Sequence, residues 1–406
     1  MTAQIKEATN TMKQDQPKAP PQTWLLEEKA FDPETNFVQE TLFSLGNGYI
    51  GIRGAHEESF VGFGDNSHDS TFINGFYESQ PLHYPETSYA LAKEHQFMLT
   101  VPNGKRINFS LNDENFDLFT GKINNYERSV DFRTGVLSRN IEWVSPTGQK
   151  VLVNSRRLVS FKNKNLYAIE YQIKSVNFTG IVKLHSLLDG QLRDVDMEEE
   201  PRYGAAVAGV GGRHFDLLSR EKQDSFLALV QRTRNSKLML VSAIENVLTC
   251  PNRQEVKAEQ NGHNEKVEQI YHINVKPNDT ITLTKYGVYF SSRDYAEDEL
   301  LPQAKKDLKE AAENGFEKLV AEQKEFLADF WHHADVEISG DDDLQQGVRF
   351  NQYHLLQSMG RDGKTSVAAK GLTGEGYGGH YFWDAETYAF PFYLYTKPEI
   401  AKNDLI

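Results

Sequence analysis

Between Thr23 and about Phe290 the chain is written in short apolar runs of period two, broken by turn residues, and almost no stretch keeps helical spacing. Phe97–Val101 and Arg106–Leu111 flank Pro102-Asn103-Gly104-Lys105, a combination that predicts a tight hairpin. Ile141–Val144 and Lys150–Asn154 flank Ser145-Pro146-Thr147-Gly148 in the same way. The series continues through Leu166–Ile173, Ile181–Leu187, Phe226–Val230, Leu238–Ile244 and Thr280–Tyr289. Each alternating strand has one face to bury, and with no helices between the strands the pattern predicts a large antiparallel β-sandwich.

The pattern changes near residue 296. Glu297–Trp331 is rich in Ala, Glu, Lys and Leu, and Phe316, Leu319, Gln323, Phe326, Leu327, Phe330 and Trp331 recur at helical spacing. Pro302 suits a first turn, and Gly315 divides the stretch into two helices. Asp335–Ser339 alternates like a short strand, ended by Gly340. A further helix is predicted from Asp341, whose acidic start suits an N-terminus, with Leu344, Val348, Asn351, Leu355 and Met359 along one face. Pro398 opens a last helical pattern that reaches Ile406 without a cap, so the domain is expected to continue. The division is a tail at 1–22, a sandwich at 23–292, a helical linker at 293–334, and at 335–406 the start of another domain.

Composition removes several classes of function. A net charge of −14 over 406 residues, with no cluster of Lys and Arg, argues against a nucleic acid or an anionic membrane as partner. The single Cys250 leaves no intrachain disulfide and no multi-cysteine metal site, which suits a cytoplasmic home. Residues 1–20 lack the apolar run of a signal peptide, and no window has the uninterrupted apolar length of a membrane span. The triplets at Asn108 and Asn177 would accept sugar only in a secreted protein.

Candidate chemistry concentrates at Lys370–Asp384, KGLTGEGYGGHYFWD. Gly371, Gly374, Gly376, Gly378 and Gly379 permit close approach to a ligand, and His380, Tyr381, Phe382, Trp383 and Asp384 follow directly. An indole beside a carboxylate suits a sugar: C–H groups stack on the ring and the carboxylate accepts from neighbouring hydroxyls. The competing reading is a pair of core aromatics with a helix-capping Asp. Asp384 and Glu386 could form a hydrolytic pair only if that segment is extended. Gly46-Asn47-Gly48-Tyr49-Ile50-Gly51 fits a dinucleotide fingerprint, with Thr41–Leu45 as its strand, but Ile52-Arg53-Gly54 makes poor helix and favours a β-turn between strands. The triple Asp341-Asp342-Asp343 lacks the alternation of a calcium loop, and His332-His333 diverge on a helix.

Three stretches resemble glycoside hydrolase family 65, which holds the maltose, kojibiose, nigerose and trehalose phosphorylases. They are ETLFSLGNGYIGIRG at Glu40–Gly54, ISGDDDLQQGVRFNQYHLLQS within Asp335–Gln357 and just beyond, and KGLTGEGYGGHYFWDAETYAFPFYLYTKPEIAKN from Lys370. Phe31-Asp32-Pro33 is also typical of the family. The resemblance implies a β-supersandwich, a helical linker and an (α/α)6 barrel, of which 335–406 would be the opening helices. It implies that Trp383 and Asp384 bind the glucosyl unit, with Glu375, Tyr377 and His380 bordering the same pocket. Ala385 departs from the Thr or Ser common in relatives, and Thr387-Tyr388 from a more apolar pair.

The activity so implied is inverting phosphorolysis of an α-linked glucosyl disaccharide to β-glucose 1-phosphate and a sugar. Inorganic phosphate is the co-substrate, no cofactor or metal is expected, and the resemblance allows a homodimer without any stretch of the sequence that fixes the oligomeric state. The general-acid Glu and the phosphate site are expected beyond Ile406. Alternatives are a hydrolase of the acid trehalase type and a non-catalytic sugar-binding fragment.

Overall fold

A computed structural model describes residues 22–81, 89–90, 92–191, 213–374 and 376–405. The tail reading at 1–22 lies, apart from Gln22, outside the described residues, and so does Glu375. In chain order come strand β1 (Leu25–Glu28), helix α1 (Asn36–Leu42), β2 (Leu45–Gly46), β3 (Ile50–Ile52), β4 (Thr71–Pro81), β5 (Glu94–Thr100) and β6 (Ile107–Leu111). Then follow β7 (Glu114–Asn115), β8 (Lys122–Asp131), β9 (Val136–Val144), β10 (Lys150–Val159), β11 (Leu166–Ser175) and β12 (Gly180–Asp189). The last strands are β13 (Phe215–Gln223), β14 (Phe226–Thr233), β15 (Met239–Thr249), β16 (Lys257–His263), β17 (Lys266–Val275) and β18 (Thr280–Ser291). Helices α2 (Leu300–Asn314), α3 (Phe316–Ala334), α4 (Asp342–Ser358), α5 (Phe390–Thr396) and α6 (Pro398–Asp404) close the chain.

The strands form antiparallel sheets, as the alternation predicts. One has nine strands in the order β1-β8-β9-β10-β11-β18-β15-β14-β13, one has five (β16-β17-β12-β6-β7) and one has four (β2-β3-β4-β5). Val151, Val153, Tyr171, Ile173, Ile281 and Leu283 of the large sheet meet Leu111, Val182, Leu184, Tyr271 and Ile273 of the five-stranded sheet in one core. Strand β14 is buried along almost its whole length because both of its faces are covered. Leu227 and Leu229 turn toward Leu188 and Val267, while Ala228 and Val230 pack beneath Leu300, Ala304 and Leu308 of α2. That double cover is why its sequence, FLALV, reads as continuously apolar.

Charge is buried as well. Arg139 donates to both carboxylate oxygens of Glu58, at 2.7 and 2.5 Å, and Tyr171 donates to the same group at 2.5 Å. Lys285 donates to the carbonyls of Gly104, Arg106 and Leu187, tying β18 to the neighbouring sheet.

Turn chemistry is right at one hairpin and wrong at the other. Strands β9 and β10 pair around Ser145–Gly148, with Lys150 opposite Val144. Phe97–Val101 and Arg106–Leu111 do not pair: β5 belongs to the four-stranded sheet and β6 to the five-stranded one. The linking residues find distant partners instead. Asn103 exchanges backbone hydrogen bonds with Asp189 at 2.7 and 3.0 Å, Pro102 O accepts from the Tyr289 hydroxyl at 2.6 Å, and buried Lys105 pairs with Asp69. Tertiary pairing overrides the local turn signal.

The Gly46–Gly51 motif is a β-turn, as expected. Leu45 pairs with Ile52, and Asn47 Oδ1 accepts from the N–H groups of Tyr49 and Ile50 at 2.9 and 2.8 Å. Thr41, however, lies in the last turn of helix α1 rather than opening a strand.

Gly315 separates α2 from α3 at φ 80, as predicted. Asp341 caps α4, accepting from Leu344 N at 2.9 Å. The face predicted for α4 is rotated. Leu344 is exposed, and the buried positions are Gln345, Arg349, Tyr353, Leu356 and Gln357. These polar side chains are satisfied: Arg349 holds the Asp335 carboxylate at 2.8 Å by two N–H groups, and Gln345 bonds Ile338 N and Val336 O. Those bonds also explain why Asp335–Ser339 is not a strand, since its backbone pairs with α4 side chains.

Candidate functional site

The stretch from Met359 to Ala389 lies on the four-stranded sheet and on α4, and between them is a hollow of about 820 Å³. Its walls come from Thr41 and Ser44, from Asn351, His354, Leu355 and Ser358 on α4, and from Val367–Gly371 and Thr373. Tyr377, Phe382, Asp384, Ala385, Tyr388 and Ala389 complete the lining.

The sandwich fixes these walls through backbone contacts. A Cβ at Gly51 would sit 2.2 Å from Leu372 O, and one at Gly48 2.0 Å from Met359 O, so the turn and the glycine-rich stretch touch main chain to main chain. Gln357 Oε1 accepts from Gly46 N at 2.9 Å, and Gln357 Nε2 donates to Ser44 O at 3.2 Å and to His354 Nδ1 at 2.9 Å. Arg53 donates to Thr373 O at 3.1 Å. His354 lies against the Phe350 ring at 4.2 Å, and burial pushes its pKa down to about 4, so the ring is neutral near pH 7.

Asp384 stands just before Ala385–Ala389, one turn of π-helix, and its carboxylate accepts none of that turn's N–H groups. The capping explanation for this residue therefore fails in this structure. Single π turns recur where a helix must present a side chain out of ordinary register. Helical geometry here also turns Glu386 away from Asp384, which removes the extended arrangement that an acid pair would need.

The structure does not bring all the expected residues to one place. Tyr377, Phe382 and Asp384 line the hollow. Trp383 is 82% exposed and stands outside the lining. His380 is turned to the sandwich, where Nε2 donates to Gln96 O at 2.5 Å and the ring meets His95 edge-on at 5.6 Å. Thr41, Ser44, His354 and Ser358 are lining residues that the sequence reading missed. The signal for those on α4 was helical spacing, since Asn351, His354, Leu355 and Ser358 share one face; nothing local marked Thr41 and Ser44.

Residues 26–330 match the glycosyl hydrolase family 65 N-terminal domain, and residues 349–406 match the family 65 central catalytic domain. The chain belongs to glycoside hydrolase family 65. It is 42% identical over 392 residues to an α,α-trehalose phosphorylase of Thermoanaerobacter brockii, covering 96% of this chain and 50% of that protein. A kojibiose phosphorylase of Halothermothrix orenii is 30% identical, with 94% of this chain and 46% of the relative covered. A solved structure named for a kojibiose phosphorylase from the human microbiome superposes with a TM-score of 0.83 at 26% identity, over 95% of this chain and 48% of that one. The chain thus spans about half the length of the relatives it matches.

Proposed function

We propose that this chain is the amino-terminal part of an inverting disaccharide phosphorylase, and that the hollow is half of its glucosyl site. The carrying observation is Asp384, a carboxylate that caps nothing and lies in a hollow walled by Tyr377, Phe382 and Tyr388. Such a group can accept from two adjacent sugar hydroxyls while aromatic faces cover the apolar C–H surface. Trp383 enters as a wall supplied from the exposed side, and Glu375 as a further sugar contact. His380 is better read as a tether of the loop than as a sugar contact.

The reaction follows from charge. Phosphate arrives already nucleophilic, so an oxygen of phosphate forms the new bond to C1 from the face opposite the leaving group while the glycosidic C–O bond breaks. The departing oxygen takes a proton from an acid, proposed as a Glu beyond residue 406. A second carboxylate to activate water is then unnecessary, and an anion site replaces it. No cofactor or metal enters this scheme.

Trehalose is the first disaccharide to try, because the matches at 42% and 35% identity are both named α,α-trehalose phosphorylases. The test is an assay of the complete protein on trehalose, kojibiose, nigerose and maltose with and without phosphate. Phosphate-dependent formation of β-glucose 1-phosphate is the expected result. Glucose release at the same rate without phosphate would overturn the proposal in favour of hydrolysis.

A further inference from the structure

Tyr377, Gly378 and Gly379 form three consecutive left-handed residues, at φ 59, 64 and 69. Two are glycines and pay nothing for this. Tyr377 carries a side chain, and a left-handed backbone there is strained by its Cβ. The conformation persists only if something outside the turn holds it. The β4–β5 hairpin does so from the sandwich. The Tyr77 hydroxyl donates to Gly379 O at 2.7 Å, and His380 next to it donates to Gln96 O. A Cβ at Gly379 would fall 2.6 Å from the Met98 Cβ, so the turn lies flat on β5. Tyr381 adds a bond to Asn74 Oδ1 at 2.6 Å, and Asn74 itself donates to Gly48 O and Ser366 O. Burial raises the Tyr77 hydroxyl above the usual phenol range, so it stays a donor past the pH at which an exposed phenol ionises. The outcome of this pinning is a ring at the rim of the hollow: Tyr377 meets Phe382 edge-on at 5.7 Å, with Lys370 Nζ 5.8 Å from its centroid.

We propose that Tyr77 is a positioning residue for the sugar site, holding the Tyr377–Gly379 turn left-handed and so placing the Tyr377 ring over a ligand bound at Asp384. The ligand in this statement rests on the glucosyl reading above; the pinning rests on the backbone geometry alone. Tyr77 never touches the sugar, and its influence passes through Gly379 O to one aromatic wall.

The experiment uses the complete protein as wild type, Tyr77→Phe, Tyr377→Gly and the double variant. Tyr77→Phe removes one hydroxyl and leaves the packing against Phe72, Met98 and Leu372 intact, while Tyr377→Gly removes the ring and tolerates the backbone. Amide hydrogen exchange over residues 376–381 and steady-state kinetics on trehalose with phosphate are measured together. Losing one hydrogen bond, about 1 kcal/mol, corresponds to roughly fivefold. Tyr77→Phe is expected to speed exchange in the turn and to raise KM by about that factor, with kcat within about twofold. In the Tyr377→Gly background the same change should leave KM unaltered. Unchanged exchange in Tyr77→Phe, or an equal KM effect with and without the Tyr377 ring, overturns the proposal. If trehalose and the other disaccharides fail with every variant, the glucosyl reading falls by itself, and exchange still decides the pinning: faster exchange sustains it and equal exchange ends it.

Discussion

Asp384 and His354 face one hollow with opposite electrostatic characters. Asp384 is exposed beside a π turn and leaves its oxygens open, so replacing it with Asn keeps the shape and removes the charge. A charge-assisted hydrogen bond is worth about 1.5–3 kcal/mol, so Asp384→Asn is expected to lower kcat/KM roughly 10- to 100-fold with little change in unfolding midpoint. Kinetics on trehalose beside a urea titration checks both halves. His354 is neutral because its folded pKa, about 4, lies below the ordinary value. The unfolded ring therefore binds a proton first as pH falls, so its contribution is present above about pH 6.5 and is lost on the way down toward 4. Since the ring borders an open hollow, about 1–2 kcal/mol is a fair share. Urea unfolding between pH 7 and 4.5 should show a steeper loss of stability for wild type than for His354→Gln; parallel curves would remove His354 as the cause.

At the level of elements, the turn Asn47–Tyr49 does more than join β2 to β3. Gly48, at φ 83, has no room for a side chain against Met359 O. Gly48→Ala combines a strained backbone with a main-chain collision, and a loss of about 2–4 kcal/mol is expected in equilibrium unfolding, with faster exchange in 359–373. The glycines of this motif were legible in the sequence as a turn, but what they approach was not, because Met359 and Leu372 lie more than three hundred residues away in the chain. The same distance hid the true face of α4. Apolar spacing picked Leu344 and Val348, whereas Arg349 and Gln345 are buried because Asp335 and the backbone before the helix supply their partners. Polar burial of this kind leaves no apolar period to read. The Pro102–Lys105 turn failed for a related reason, its partners Asp189, Tyr289 and Asp69 all being remote.

For the molecule as a whole, alternation carried the antiparallel sheets, since burying one face of each strand is a local demand with one global answer. Of the glycine-aromatic stretch, Tyr377, Phe382 and Asp384 line the hollow, and its sequence could not show that Asp384 reaches it while Trp383 stands outside the lining. The interior charge was also invisible in composition. Glu58 pairs with Arg139 and Tyr171 between the layers, and Glu58→Gln would leave a guanidinium buried with reduced compensation. A loss of about 3–5 kcal/mol is expected. Calorimetry of the complete protein should then show the sandwich melting earlier, and an unchanged transition would mean that the layer relaxes around the lost charge.

The π turn at Ala385–Ala389 accommodates one residue more than an α turn would. Deleting a single residue there would let the coil tighten to an α turn, and because the wide turn and the tight one each complete about one revolution, the positions downstream would keep their faces. Tyr393, whose hydroxyl donates to Leu355 O, and Lys397, which donates to Asp329, would still face their partners. The wide turn thus works as slack in the chain, taking up a one-residue change of length while the following helices go on showing the same side chains to whatever packs upon them.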